Sequence, residues 1–190
     1  MLKKIVVGVV ALVAVLLALI STRPDHFRIE RSIAVAAPPA IVFAQLNDFH
    51  RWEGWSPWAK LDSAMKTTYQ GPSEGVGASY SWVGNSKVGE GKMTIEETRP
   101  GERVAIRLEF LKPFAAVNQT VFEIAPGGGQ SNLSWVMTGN HSFMGKAMSL
   151  FMDMDKMVGP DFERGLSSLK TIAEQAARIE PPAPSETPKT

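Results

Sequence analysis

The stretch KMTIEETRPGERVAIRLEF (residues 92–110) decides the fold class. In its second half Val104, Ile106 and Leu108 occupy alternate positions, with polar or small residues between them. This period of two is typical of a strand that buries one face. The Arg99-Pro100-Gly101 sequence in the middle is a turn signal. The stretch therefore predicts two antiparallel strands joined by a tight turn.

The same pattern extends along the chain on both sides of this hairpin. Turn clusters such as Gly71-Pro72-Ser73 and Gly127-Gly128-Gly129 separate further short apolar segments. Sequential short strands with tight turns predict an antiparallel sheet. The seven predicted strands are Phe27–Val35, Met65–Tyr69, Ala78–Val83, Lys92–Thr98, Arg103–Phe110, Asn118–Ile124 and Asn132–Thr138.

Two short helices are predicted between the first and second strands. Proline is tolerated in the first turn of a helix, so Pro39 and the apolar residues after it predict a helix over Pro39–Leu46. A second helix is predicted to begin at Ser56. Its hydroxyl can cap the helix, and Pro57 suits the first helical position.

A long helix is predicted from Met144 to Ala177, where apolar residues such as Phe162, Leu166 and Leu169 recur at helical spacing. Gly159-Pro160 is expected to kink or split it. A lone long helix must lay its apolar stripe on a sheet, so the fold class is α+β. A seven-stranded sheet curls, and one helix about 10 Å wide cannot fill it. The space left over predicts a ligand cavity between the sheet and the helix.

The N-terminus predicts a membrane helix. Lys3 and Lys4 precede an uncharged apolar run from Ile5 to Ile20. This run is short for a transmembrane anchor, and a cleaved signal peptide is the alternative. Bulky Ile20 makes a poor cleavage site, which favours an anchor. We therefore expect a single-pass protein of the cytoplasmic membrane, with its N-terminus in the cytoplasm and its C-terminal domain in the periplasm or outside.

These features divide the chain into an anchor (1–24), one folded domain (25–179) and a tail (180–190). The tail has four prolines and few apolar residues, which predicts disorder. The chain has no cysteine, which excludes disulfides and thiolate metal sites. With 20 basic and 19 acidic residues, its net charge is only +1, which is too small to attract nucleic acid. We expect no metal, no cofactor and no nucleic-acid partner, and the sequence names no protein partner.

Several segments resemble the SRPBCC superfamily, which includes START-like lipid carriers and polyketide cyclase/dehydrase-like proteins. The resemblance covers about residues 27–175. It implies a helix-grip fold, in which a curled seven-stranded antiparallel sheet surrounds a long C-terminal helix. It says little about function, because this scaffold hosts carriers, receptors and cyclases. The segments that carry it are Phe27–Ile33, Ala37–Phe43, Asn47–Trp52, Trp55–Trp58, Tyr69–Pro72 and Met152–Gly159.

Candidate ligand-binding residues follow from the inward face of the sheet and from the start of the long helix. Trp52, Trp55 and Trp58 lie within seven residues. They form either an aromatic wall at the cavity mouth or a wedge between the short helices and the sheet, and packing is the preferred interpretation. Methionines suit apolar ligands of variable shape, but they also fill gaps in a core. The other candidates are Tyr80, Trp82, Met93, Leu108, Phe122, Trp135, Met137, Met148, Met152 and Asp155.

Asp155 is the main candidate for proton transfer, because it falls on the apolar stripe of the long helix. A carboxylate there must be paired or have a raised pKa. It would orient a ligand or act as an acid/base, with help from Tyr80 or His141. A salt bridge at a helix kink is the alternative.

Three functions are therefore considered. The first is a membrane-tethered module that binds a hydrophobic small molecule or a lipid in the cavity. The second is an enzyme of the cyclase/dehydrase kind. The third is a protein- or membrane-interaction module that uses a patch of Trp52, Trp55 and Trp58. The binding module ranks first, because no convergent catalytic set is visible.

Overall fold

Seven strands and four α-helices make up the computed structural model, which describes residues 1–179. The predicted tail, 180–190, lies outside the described residues. The helices are α1 (Leu2–Ser21), α2 (Pro39–Leu46), α3 (Phe143–Met148) and α4 (Met154–Ile179), with a 3-10 helix at Phe49–Gly54. The strands are β1 (His26–Val35), β2 (Lys66–Gln70), β3 (Ser79–Val83), β4 (Glu90–Arg99), β5 (Arg103–Lys112), β6 (Ala116–Pro126) and β7 (Ser131–Asn140).

The strands form one open antiparallel sheet in the order β1-β7-β6-β5-β4-β3-β2. Strands β2 to β7 are a meander, and β1 adds to it beside β7. Register places Val104 opposite Phe122, and Phe122 opposite Trp135. These side chains point to one face, which we call the inward face because α4 packs on it. The predicted α+β fold, with seven antiparallel strands and a long C-terminal helix, is confirmed.

Helix α4 lies mainly over β1 and α2, at one side of the sheet. Its buried stripe includes Phe162, Leu166 and Leu169. Gly165 lets the helix approach closely, since a Cβ at this position would lie 2.8 Å from the ring of Trp135. Lys170 adds a hydrogen bond of 2.7 Å to the carbonyl of Ala34 in β1. Because α4 covers the β1 side, much of the inward face of β3 to β5 is left to other segments.

The second short helix does not begin at Ser56, so that prediction was wrong. A 3-10 helix occupies Phe49–Gly54 instead, and Ser56 lies in the turn after it. Asp48 caps this helix by accepting the backbone N–H of His50 at 2.8 Å. The indole N–H groups of Trp52 and Trp55 donate to carbonyls in α2, which holds the segment in a tight turn.

The long C-terminal helix is interrupted, but not at Gly159-Pro160 as predicted. The break lies at residues 149–153, between α3 and α4, and Pro160 is within α4. Asp153 explains where α4 begins, because its carboxylate accepts the backbone N–H groups of Asp155 and Lys156. This is an N-cap. Pro160 lies in the second turn of α4, and the helix continues through it.

Helix α1 has 20 residues and a mean hydropathy of 2.8 in its most apolar window, so by length and composition it can cross a membrane. A signal sequence has the same properties. Ile20, in its last turn, is its one buried residue, and α1 contacts α3. Only Thr22–Asp25 separate α1 from β1.

Candidate functional site

An aromatic cluster fills the middle of the space between the sheet and α4. The ring of Trp135 stacks on Phe162, with a centroid distance of 4.1 Å and an interplanar angle of 10°. Trp55 and Trp58 meet Trp135 edge to face, and Phe122 lies 4.9 Å from it. All except Trp58 are fully buried. This part of the interior is packed core, so room for a ligand has to lie elsewhere.

The three clustered tryptophans do not form an exposed patch. Trp52 and Trp55 are 6% and 2% exposed, and Trp58 is half-buried against Trp135 and Phe162. The packing interpretation agrees with this arrangement. The proposed interaction module loses its basis, because it required these rings at the surface.

The end of the inward face that α4 leaves uncovered carries several of the predicted lining residues. Tyr80, Met93 and Leu108 are half-buried there, on β3, β4 and β5. Trp82 and Met137 are buried, at 8% and 7% exposed.

Two buried polar residues, Asn118 and Thr120, were not among the predicted lining residues. They lie on the inward face of β6, opposite Leu108 and Ile106 of β5. Their signal in the sequence is their phase with Phe122, which places all three on the same face. Both side chains are buried, at 8% and 4% exposed.

A cleft of about 420 Å³ lies at the β1 edge of the sheet, between the start of β1, α3 and the start of α4. We call it the α3 cleft. It brings together four predicted site residues: His141, Met148, Met152 and Asp155. The remaining lining residues are Arg23, Pro24, His26, Phe27, Arg28, Ile29, Gly145, Ser149, Asp153, Met154 and Met157.

Sequence reasoning missed Phe27 and Ile29 as lining residues, although their alternation in β1 had placed them on the buried face. Their position beside the cleft depends on two features that the sequence did not reveal. Helix α3 folds back toward the start of β1, and the helical structure is interrupted between α3 and α4. The ring of Phe27 also lies over Gly139 of β7, where a Cβ would come within 2.7 Å of it.

Asp155 forms a bidentate ion pair with Arg31 of β1, at 2.8 and 2.9 Å. Arg31 also binds Glu163 at 2.7 Å and the carbonyl of Glu30 at 2.8 Å. The hydrogen bonds from Arg31 hold the pKa of Asp155 below its usual range. Asp155 is therefore ionised at neutral pH, and it ties the first turn of α4 to the edge of the sheet. This matches the salt-bridge alternative.

The carboxylates that join α4 to β1 predict loss of stability in acid. Hydrogen bonds lower the pKa of Asp155, through Arg31, and of Glu174, through the backbone N–H of Ala36. A lowered pKa in the folded state stabilises the fold above the ordinary carboxyl pKa, and this contribution is lost as pH falls through the lowered value. We expect the urea midpoint to fall between pH 6 and pH 3. The fall should be smaller in Asp155→Asn, and an equal fall in both proteins would contradict this account.

The other two candidates for proton transfer lie apart from each other. His141 lies in the α3 cleft, with its ring centroid 5.2 Å from that of Phe27, whereas Tyr80 is not among the cleft-lining residues. Burial raises the pKa of Tyr80 to about 12, so its phenol stays protonated at neutral pH and can donate a hydrogen bond but not act as a base. The structure therefore does not bring Asp155, His141 and Tyr80 together as one set.

A second cleft, of about 500 Å³, lies mainly on the outer face of the sheet and suits an apolar ligand less well. Arg28, Thr138, Gln119 and Arg107 cross four strands there in one row. Arg28 is paired with Glu30. Most of the residues that line this second cleft are polar, so it differs from the α3 cleft in chemistry as well as in position.

The fold is similar to those of solved proteins. Protein CV1439 from Chromobacterium violaceum is 18% identical, with a TM-score of 0.56 over 80% of this chain and 99% of its own. A protein from Thermobifida fusca is 24% identical, with a TM-score of 0.57 over 80% of this chain and 95% of its own. Ara h 8.0201 is 11% identical, with a TM-score of 0.53 over 82% of this chain and 99% of its own. At these identities the likeness shows the fold alone.

No curated protein matches the chain significantly. A family model described as polyketide cyclase / dehydrase and lipid transport matches residues 26–174, which is most of the chain and nearly all of its folded domain. The match begins at β1 and ends in the last turns of α4, so it includes every strand of the sheet and all of the residues that line the α3 cleft except Arg23 and Pro24. The chain belongs to the polyketide cyclase/dehydrase and lipid transport family.

Proposed function

We propose that this protein is a membrane-tethered module that binds a hydrophobic small molecule, of lipid or polyketide type, in the α3 cleft, whose lining includes the inward-facing Phe27 and Ile29 of β1. The observation that carries the proposal is the position of the cleft. It has about 420 Å³ of space, its lining combines apolar side chains with several polar ones, and it lies where the chain leaves the apolar helix α1.

The size and lining of the cleft suit an apolar ligand. Small-molecule sites typically have about 300–1,000 Å³, with mainly apolar walls and a few polar groups. Four of the lining residues are methionines, whose flexible side chains adapt to ligands of different shape. Burial of apolar surface contributes about 25 cal/mol per Å² before the costs of association are subtracted. The lining methionines are Met148, Met152, Met154 and Met157.

The polar groups of the cleft lie where they could orient a ligand headgroup. Arg23 and His141 line the cleft directly, and Asp155 is held in place by Arg31. A molecule with an apolar body and one polar end fits this distribution.

The membrane tether in this proposal is α1, retained as a single span. Lys3 and Lys4 then place the N-terminus in the cytoplasm and the folded domain on the other side, in the periplasm of a Gram-negative cell. We expect detergent, but not high salt, to release the protein from membranes. A soluble mature form that begins near Ser21 would contradict the tether and support a cleaved signal peptide.

The ligand itself is best sought by mass spectrometry. We expect the full-length protein, purified in mild detergent, to retain one apolar molecule that native mass spectrometry and lipid extraction detect. Met152→Trp should reduce its occupancy severalfold, because the larger ring fills the α3 cleft. Val76→Trp is the matched control, since Val76 is exposed and is not among the cleft-lining residues. Wild-type protein free of any such molecule would overturn the proposal.

The alternative of a cyclase/dehydrase-type enzyme has less support. His141 lies in the cleft and is its remaining candidate for proton transfer, since Asp155 is committed to Arg31 and has a lowered pKa. If a substrate is found, Asp155→Asn and His141→Asn should be compared in the same assay. Loss of turnover with unchanged binding in His141→Asn would favour the enzyme.

A further inference from the structure

Exposed apolar side chains are concentrated at one end of the sheet. Register shows which chain segments meet there, because Phe27 at the start of β1 lies opposite Gly139 at the end of β7, and Gly139 lies opposite Asn118 near the start of β6. The exit of α1, the β5–β6 hairpin and the start of α3 therefore share this end.

Two segments at this end carry the exposed apolar residues, and we call them together the apolar rim. The first is residues 143–157, which form α3, the break after it and the first turn of α4. The second is residues 111–117, the tip of the β5–β6 hairpin. Phe151 is 84% exposed and Phe114 is 67% exposed. The other exposed members are Phe143, Met144, Met148, Met152, Met154, Met157, Leu111 and Val117.

We propose that the apolar rim rests in the surface of the lipid bilayer that holds α1. This inference rests on the proposed tether, because α1 fixes which side of the domain faces the membrane. Helix α1 contacts α3, and the four residues Thr22–Asp25 span at most about 14 Å when fully extended. The end of the sheet that carries the rim is therefore held next to the headgroup region, where exposed Phe and Met side chains can insert.

The charges of the rim favour insertion driven by apolar contact rather than by anionic lipid. Residues 143–157 contain Lys146, Lys156, Asp153 and Asp155, which sum to zero, and residues 111–117 add Lys112, whose charge is paired with Glu90. Lys146 pairs with Asp25, Lys156 with Asp153, and Asp155 with Arg31. A zwitterionic lipid such as phosphatidylcholine, which has no net charge, is therefore a sufficient partner, and salt has little effect.

The rim also determines how a ligand would reach the α3 cleft. Met148, Met152, Met154 and Met157 belong to the rim and line the cleft as well. A molecule that leaves the bilayer between these side chains enters the cleft without crossing water. The apolar rim is then the entrance to the binding site, and its insertion into the bilayer surface is part of ligand exchange.

The absence of cysteine from the chain makes a direct test possible. Phe151→Cys, Phe114→Cys and Val76→Cys each introduce a single labelling site in the full-length protein. Val76 is the matched control, because it is apolar, 57% exposed and lies in the β2–β3 loop at the opposite end of the sheet. Each variant is labelled with a fluorophore and reconstituted in phosphatidylcholine vesicles with or without brominated acyl chains.

We expect brominated lipid to quench the labels at 151 and 114 severalfold more than the label at 76, in low and in high salt. Equal, weak quenching at all three sites in protein that floats with the vesicles would overturn the rim and leave the tether intact. Protein that does not float with the vesicles would overturn both. Strong quenching at 151 and 114 in protein without a bound apolar molecule would support the rim and contradict the proposed binding function.

Discussion

Replacement of Phe162 by alanine is expected to lower the free energy of unfolding by about 3–5 kcal/mol. The ring is 1% exposed and stacks on Trp135 at 4.1 Å, so its removal leaves a cavity and also loses an aromatic pair. Proteins of this size are stable by only about 5–15 kcal/mol, so the loss is a large fraction of the total. Urea unfolding of the full-length protein in detergent, followed by tryptophan fluorescence, measures it.

Phe151→Ala is the matched control for this prediction. It removes the same side chain from a position that is 84% exposed, so the free energy of unfolding should change by less than about 0.5 kcal/mol. Equal losses in the two variants would show that the aromatic cluster around Trp135 does not hold α4 on the sheet. A small loss in Phe162→Ala alone would show that neighbouring side chains collapse into the space.

Gly165→Leu is the second large effect we expect, with a net loss of about 2 kcal/mol. A Cβ at Gly165 would lie 2.8 Å from the ring of Trp135 and 3.1 Å from Pro57, so leucine must push α4 away from the sheet. Such overpacking costs about 1–3 kcal/mol, and we expect the upper end because ring atoms cannot bend aside. Leucine has a higher helix propensity than glycine, and this offsets about 1 kcal/mol of the loss in stability.

The control for Gly165→Leu lies three residues further along the same helix. Ser168 is exposed, so Ser168→Leu gains helix propensity without a clash, and stability should stay within about 0.5 kcal/mol of the wild type. The same urea series in detergent compares the two. A Gly165→Leu protein as stable as Ser168→Leu would mean that α4 does not need the close approach at this position.

The strands of this fold could be predicted because each repeats a simple local pattern. Alternating residues such as Val104 and Ile106 settle which face of β5 is buried, and glycine or proline between the segments sets the turns. The predicted strands agree with the structure to within a few residues at their ends. Helix ends were harder to predict, since capping by Asp48 and Asp153 competes with equally plausible signals at Ser56 and Pro160.

The candidate site was harder to predict than the fold, because its position depends on contacts between distant segments. Alternation placed Trp135 and Phe122 on the inward face correctly, but it could not tell a packed cluster from the wall of a cavity. The burial of Trp55 depends on its hydrogen bond to the carbonyl of Gln45 and on its contact with Trp135, and the sequence pattern does not encode either contact. The ion pair of Asp155 with Arg31 joins residues 124 positions apart, and no local pattern encodes it.

In the proposed membrane-tethered form, the four residues between α1 and β1 limit how far a bound ligand can be carried. A carrier that ferries molecules between two membranes needs either a free domain or a long arm, and a link of about 14 Å provides neither. With α1 in the bilayer, the domain stays at the membrane surface, where the local concentration of bilayer lipids is high and that of dissolved ligands is low. A molecule bound there must return to the same leaflet, be chemically altered while it is bound, or be transferred to another protein at the same membrane surface.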